Sequence, residues 1–330
     1  METGAAREQV RGRDCAPGAC AEGAERRMGR QGRHGRQAEP SDESADELAL
    51  RLTAEEIHRY SRHLCLAGVG EEGQRRIRSA KALVVGVGGL GSPIALYLAA
   101  AGVGILGLAD PDVVELSNLQ RQIAHGTGSL GVPKVESAAR RIGDLNPGVC
   151  VEAMAVKLGR ENAAQLVADY DVVVDALDSL RDRFILNDAC VAMRKPMVHG
   201  AVSGWMGEAM TYVPGRGPCY RCVFGGGAAV GDAVARDAAA RDADGATAVG
   251  ACAGSEDAPE DLGLLAPERV GVLSSAPGVI GAIEATEVLK LITGAGEQLV
   301  GRLLLWDGMR MKFDQIEVMA DPVCSACGGR

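Results

Sequence analysis

Apolar and polar residues alternate along the middle of the chain in a pattern that predicts strands and helices in turn. The predicted strands are 82–85, 105–109, 149–156, 172–176 and 197–201, and the predicted helices are 90–101, 133–145, 160–168 and 181–193. Val172, Val173 and Val174 form an uninterrupted β-branched run, which is typical of a strand covered on both faces. This order predicts an α/β, Rossmann-like fold with a mostly parallel sheet, helices on both faces and right-handed crossovers.

The regions that flank this alternation follow other patterns. Thr53 and Glu56 have the spacing of a capping box, which predicts a helix start before the first strand. Residues 206–213 and 303–318 are predicted to be antiparallel strands, and residues 277–292 are predicted to be a helix. The parallel sheet is therefore expected to continue into antiparallel strands in the second half of the chain.

Two segments lack this regularity. Residues 1–48 are rich in Arg, Gly, Ala and Glu and have little apolar periodicity, so they are predicted to be a disordered tail. Residues 225–266 are rich in Ala, Gly and acidic residues and are predicted to be a flexible loop that crosses over the domain. The rest of 49–330 is expected to form one domain.

Composition limits the classes of partner. The chain has 330 residues with 47% hydrophobic content, which suffices for a substantial core. Its net charge of −9 gives no electrostatic reason to expect nucleic acid or a membrane as partner. No apolar stretch is long enough to span a bilayer, and the first residues lack the apolar core of a secretory signal. A cytoplasmic location is therefore expected.

A glycine-rich loop follows the first predicted strand. Gly86, Gly88, Gly89 and Gly91 lie between that strand and the next helix, and Asp110 follows the second strand. Glycines permit close approach of a phosphate, and the helix start supplies amide donors. The spacing fits an NAD-dependent oxidoreductase, in which the aspartate would bind a ribose hydroxyl. On this motif alone a redox dinucleotide is favoured.

Further polar residues change this interpretation. Asn118, Arg121 and Lys134 follow the second strand, and Asp178 follows the fourth. A redox dinucleotide has little need of two cations, whereas a triphosphate undergoing substitution needs its charge neutralised. The aspartate suits Mg²⁺ held through phosphates. A lone Arg or Lys is usually a solvated surface charge, but the joint placement of the two cations at strand ends favours a triphosphate.

Two Cys-x-x-Cys pairs form a second candidate site. Cys219, Cys222, Cys324 and Cys327 offer the four thiolates of a tetrahedral structural zinc site, a Cys₄ knuckle. The pairs are about a hundred residues apart, more than in the usual zinc finger, so the site requires the chain to return on itself. Two unrelated reduced pairs, or a redox pair, remain alternatives.

Taken together, these motifs resemble the MoeB/ThiF/HesA family, the bacterial relatives of ubiquitin-activating enzymes. The resemblance covers residues 52–330 without the loop, and the run Ser117–Gln122 is its most specific part. It implies an adenylating domain that uses ATP and Mg²⁺. The implied reaction joins AMP to the C-terminal glycine of a small ubiquitin-like sulfur carrier ending in Gly-Gly, of the molybdopterin or thiamine type, and releases pyrophosphate. A homodimer and a separate sulfur-donor protein are also implied.

The resemblance assigns roles to individual residues. The implied nucleotide-binding residues are Gly86, Gly88, Gly89, Gly91, Asp110, Asp112, Ser117, Asn118, Leu119, Gln120, Arg121, Lys134, Asp178 and Ser179. The implied catalytic residues are Arg62, Arg121, Lys134 and Asp178, of which Asp178 would hold Mg²⁺ and Arg62 would reach into the partner's site. The four cysteines would bind zinc.

Two positions depart from the family pattern. Ser179 replaces the usual asparagine after Asp178. Pro267 stands where many members have a cysteine, so the sequence gives no support for a thioester or persulfide on the enzyme. Three alternatives stay open beside adenylation of a molybdopterin or thiamine carrier. They are activation of a different carrier for other sulfur chemistry, an NAD-dependent oxidoreductase, and a carrier-binding scaffold with impaired catalysis.

Overall fold

The computed structural model describes residues 51–225 and 271–328, and one mixed sheet of eight strands runs through these residues. The strands are β1 Lys81–Val85, β2 Ile105–Ala109, β3 Cys150–Met154, β4 Val172–Asp175, β5 Met197–Ser203, β6 Met206–Tyr212, β7 Arg302–Asp307 and β8 Lys312–Glu317. Their order across the sheet is β3-β2-β1-β4-β5-β6-β7-β8.

The first five strands are parallel, and β5 to β8 pair antiparallel. The α/β fold with a parallel sheet that continues into antiparallel strands is therefore confirmed. Strand β1 lies between β2 and β4, so the strand order reverses beside it. In sheets of this kind ligands bind outside the carboxyl ends of the strands at such a reversal.

Helices cover both faces of the sheet, as predicted. They are α1 Ala54–Arg59, α2 Ser61–Leu64, α3 Gly70–Ser79, α4 Gly91–Ala101, α5 Lys134–Leu145, α6 Ala163–Ala168, α7 Leu180–Ala192, α8 Tyr220–Phe224 and α9 Ala276–Thr293. One apolar core joins the sheet to α3, α4, α5 and α9. The other joins it to α6, α7 and α8. The site described below therefore rests on a sheet that is packed from both sides.

The predicted capping box starts helix α1. The Thr53 amide donates to Glu56 Oε2 at 2.7 Å, and the Glu56 amide donates to Thr53 Oγ1 at 3.2 Å. The helix is short, because Tyr60 ends it and turns inward to become buried. The Tyr60 hydroxyl accepts a hydrogen bond from Asn146 Nδ2 at 2.9 Å, which anchors this region to the end of α5.

Two of the predicted segments cannot be compared with the structure. The tail at 1–48, and all of the loop at 225–266 except its first residue, lie outside the described residues. Pro267 lies outside them as well. Within 51–225 and 271–328, no helix combines the length and the apolar character that crossing a bilayer requires.

Candidate active site and metal centre

The carboxyl ends of the central strands meet at one edge of the sheet. Val85 pairs with Ala109 on one side and with Asp175 on the other. The residues that follow these three positions therefore emerge side by side. They begin the glycine loop after β1, the turn at Asp110 after β2 and the segment towards Asp178 after β4.

Two glycines of the loop are required by backbone packing. Gly86 has φ +94°, and a Cβ there would lie 2.5 Å from the carbonyl oxygen of Ala176. A Cβ on Gly91 would lie 1.9 Å from the carbonyl oxygen of Gly86. Gly88 and Gly89 have more room, since their nearest neighbours are side chains at 3.6 and 3.2 Å. The loop thus packs tightly against the β4–α7 segment before it leads into α4.

Asp110 ties the glycine loop to the end of β2. The Val87 amide donates to Asp110 Oδ2 at 2.7 Å, and the Asp112 amide donates to Asp110 Oδ1 at 2.8 Å. Burial raises the pKa of this carboxyl group, and the nearby charge of Lys134 acts in the opposite direction. Asp110 therefore fixes the loop from inside, and its contact with a ribose stays a prediction.

The two predicted cations lie beside this loop. Lys134 opens helix α5 with its side chain only 8% exposed, and its Nζ lies 2.7 Å from Oδ2 of Asp112, whose side chain is 63% exposed. Arg121 Nη1 donates to the Ser117 carbonyl oxygen at 3.3 Å. The Arg121 Cδ is 3.6 Å from the position of a Cβ on Gly89. The structure thus brings Arg121 against the glycine loop and Lys134 close to Asp110.

The polar run Ser117–Gln122 folds as a tight turn. Its first part is a 3₁₀ helix, Leu116–Asn118, and the Glu115 amide donates to Asn118 Oδ1 at 3.2 Å. Leu119 is half-buried, whereas Ser117 and Gln120 are exposed.

Two further residues lie at the loop: His125, which the sequence analysis missed, and Gln122, which belongs to the predicted polar run but was given no role of its own. His125 bridges the loop and helix α5, with Nε2 3.0 Å from the Val87 carbonyl oxygen and Nδ1 3.0 Å from Ser137 Oγ. Burial lowers the pKa of this imidazole, which favours its neutral form. The buried Gln122 amide lies 3.6 Å from a Cβ placed on Gly88. The partners of His125 come from segments distant in the sequence, so only its proximity to Arg121 could have pointed to it.

Asp178 and Ser179 lie where β4 leads into α7. Asp178 is exposed. The Ser179 hydroxyl accepts a hydrogen bond from the Asp182 amide at 3.3 Å, so it caps the helix. Arg62 lies exposed on α2. The roles predicted for these three residues towards nucleotide and metal stay predictions.

The four cysteines of the two Cys-x-x-Cys pairs converge, as the zinc prediction requires. Their sulfur atoms all lie within 4.8 Å of one another. Cys219 Sγ is 3.7 Å from those of Cys222 and Cys324, and Cys222 Sγ is 3.4 Å from that of Cys327. Four sulfurs around Zn²⁺ at about 2.3 Å would be roughly 3.8 Å apart. Burial raises the pKa of the Cys219 and Cys222 thiols, and a bound cation would reverse this.

This arrangement defines the class of protein. A glycine loop and two cations lie at the strand-order reversal of an α/β sheet, and a four-thiol cluster closes the second half of the chain. The protein is therefore an α/β protein of the nucleotide-binding type with a four-cysteine cluster that could hold a structural metal ion.

Comparisons with known proteins identify the family. The profile of the ThiF family matches residues 60–326, and the chain belongs to this family. It is 42% identical over 281 residues to the SAMP-activating enzyme E1 of Haloferax volcanii, covering 85% of this chain and 92% of that protein. It is 39% identical over 284 residues to a sulfur carrier protein adenylyltransferase of Thermus thermophilus, covering 84% and 93%.

Other similar proteins are longer or more distant. The Zea mays adenylyltransferase and sulfurtransferase MOCS3-2 is 41% identical over 278 residues, and this chain spans about half of its length, 51%. The crystal structure of E. coli MccB with MccA-N7isoASN has a TM-score of 0.66 and 22% identity, covering 84% of this chain and 76% of its own. That likeness shows the shared fold.

Proposed function

We propose that the protein uses ATP to adenylate the C-terminal glycine of a small ubiquitin-like sulfur carrier of the molybdopterin or thiamine type. Membership of the ThiF family supports this, as do relatives named a SAMP-activating enzyme and a sulfur carrier protein adenylyltransferase. The observation that carries the proposal is the meeting of the glycine loop, Arg121 and Lys134 at one edge of the sheet.

The reaction that we propose is an in-line substitution at phosphorus. A carboxylate oxygen of the carrier forms a bond to the α-phosphorus, the bond from that phosphorus to the bridging oxygen breaks, and pyrophosphate leaves with the electron pair. The carrier carboxyl group is already ionised at neutral pH, so no general base is needed. The protein has to align two anions and offset their repulsion.

The charged residues fit these tasks. Arg121 and Lys134 would neutralise the triphosphate, and Asp178 would hold Mg²⁺, which itself supplies charge stabilisation on the phosphates. Lys134 would exchange its partner Asp112 for phosphate. The exposed Asp112 carboxylate can return to water in that exchange, while the buried Lys134 ammonium keeps an anionic partner.

The four cysteines are proposed to hold Zn²⁺ in a structural site. Four thiolates leave no open position for water, so the ion would take no part in adenylation. The four cysteines of the cluster are free thiols, and free thiols and ATP are both characteristic of the cytoplasm, which is where we place the protein. The sulfur that follows adenylation is proposed to come from a separate protein.

Pyrophosphate exchange tests the function. The protein with a candidate carrier ending in Gly-Gly should exchange labelled pyrophosphate into ATP, because formation of the adenylate is reversible. The same carrier without its last two residues should support no exchange. Tight carrier binding without exchange would indicate the impaired scaffold, and binding of NADH detected by its fluorescence would indicate the oxidoreductase; either result would contradict the proposal.

We further propose a homodimer in which Arg62 completes the site of the other subunit. Two large apolar side chains flank the polar run of the site and are exposed, Leu116 by 70% and Ile123 by 58%. Exposed apolar surface of this kind is typical of protein interfaces.

Subunit mixing tests the shared site. Arg62→Ala and Lys134→Ala variants should each be inactive alone, because each lacks one component of every site. Mixed after dissociation and reassociation, they should regain about a quarter of the native exchange rate, since half of the dimers are mixed and each of those has one intact site. Mixtures that stay inactive, although the variants associate, would contradict the shared site.

A further inference from the structure

The segment that presents Asp178 is held by buried polar side chains outside the nucleotide-binding set. The Leu177 amide donates to Asp175 Oδ1 at 3.2 Å. The Leu177 carbonyl oxygen accepts a hydrogen bond from Arg183 Nη2 at 2.6 Å. The residue just before Asp178 is thus fixed on both sides, by the last residue of β4 and by the first turn of α7.

Asp175 and Arg183 are themselves braced. Asp175 is fully buried, and its Oδ2 accepts a hydrogen bond from His199 Nδ1 at 2.8 Å. Arg183 Nε lies 3.9 Å from the same oxygen. On its other side, His199 Nε2 is 3.5 Å from Oε1 of Glu208 on β6. Burial disfavours a charged His199, but its contacts with the Asp175 and Glu208 carboxylates outweigh this and raise its pKa.

Stability alone does not account for this network. Buried ion pairs are often no more stabilising than apolar side chains of similar volume, because desolvation offsets their attraction. Two contacts here are long, from His199 Nε2 to Glu208 at 3.5 Å and from Arg183 Nε to Asp175 at 3.9 Å, so they recover less of the cost of burial than close hydrogen bonds would. Because this costly polar network lies at the end of β4, we look for its function at that strand end.

We propose that Asp175 and Arg183 are positioning residues for adenylation. By fixing the Leu177 peptide groups from both sides, they hold the Asp178 carboxylate where it meets the metal ion of the ATP complex. His199 acts one step behind them by holding the Asp175 carboxylate. This inference rests on the proposed function, and it assigns to Arg183 an effect that passes through Asp178.

A double-mutant cycle tests this inference, with pyrophosphate exchange measured as kcat/KM for ATP. Arg183→Met should lower exchange and raise the Mg²⁺ concentration needed for half-maximal rate. In an Asp178→Asn background the same change should cost less than about threefold, because the group being positioned is already gone. The matched control is Arg181→Met, since Arg181 is exposed in the same helix turn and should have little effect.

A second variant separates positioning from folding. Arg183→Lys keeps a positive charge near Asp175 but loses the planar fork that reaches Leu177, so it should reproduce the Mg²⁺ effect with a smaller loss of melting temperature. The inference would be overturned if Arg183→Met and Arg183→Lys lowered exchange equally, if each cost as much in the Asp178→Asn background as in the native one, and if the Mg²⁺ requirement stayed unchanged. Absence of exchange in the native protein would instead contradict the proposed function.

Discussion

Arg121→Ala is expected to lower pyrophosphate exchange by roughly 10²–10³-fold, the usual cost of removing one preorganised group that stabilises transition-state charge. The side chain contacts the glycine loop, and its one described hydrogen bond is to the Ser117 carbonyl oxygen. Arg121 is only half-buried, and its described side-chain contacts are with the glycine loop and with its own turn. The melting temperature should therefore stay within a few degrees of the native value.

A matched control exists on helix α5. Arg140 is an exposed arginine whose described partner is Glu136, one turn away. Arg140→Ala removes the same formal charge without touching the strand ends, so exchange should stay near the native rate. Equal losses from both substitutions would mean that overall charge, rather than a phosphate contact, explains the effect. Loss of cooperative melting in the Arg121 variant would mean that this residue supports the fold instead.

Cys324→Ser is expected to remove the metal and to lower the melting temperature by roughly 10 °C, at about 2–4 °C for each kcal/mol lost in a domain of this size. The reason is that binding free energy at a structural zinc site contributes to folding. Cys324 lies 3.7 Å from Cys219, and both are buried, so one serine leaves three thiols without their ion. Metal content by mass spectrometry and calorimetric melting are the measurements.

Cys65→Ser is the control for this experiment. Cys65 is an exposed free cysteine far from the cluster in the sequence. Its replacement should change neither the metal content nor the melting temperature. A native protein without bound zinc, together with equal stability of the two variants, would remove the metal centre. The four cysteines would then be two unrelated reduced pairs or would include a redox pair, the alternatives left open by the sequence.

The strand ends could be predicted because local signals agree there. Val172 to Val174 marks a buried strand, Gly86 and Gly91 mark the turn, and the rule for parallel sheets places their ends together. The four cysteines could be predicted as ligands by type and spacing. Their meeting in space followed only from assuming one shared site, because no local signal shows that β7 and β8 return beside β6.

The residues that support the site could not be predicted from the sequence, for a different reason. His125 and Arg183 act on carbonyl oxygens of Val87 and Leu177, and a backbone acceptor leaves no trace in the side-chain sequence. Ser179 shows the same limit, since its hydroxyl caps α7 in the structure while the pattern offered only a nucleotide contact. The sequence shows which residues carry charge, whereas tertiary packing decides which of them hold the others in place.

The spacing of the cysteine pairs also sets an order of events during synthesis. Cys222 and Cys327 are 105 residues apart along the chain, so the ribosome needs roughly 5–20 s after the first pair to deliver the second. Strands β1 to β4 pair with one another and precede both pairs, so this half of the sheet can assemble while the later half is still being translated. The proposed ion could therefore be bound only after the second cysteine pair has been translated.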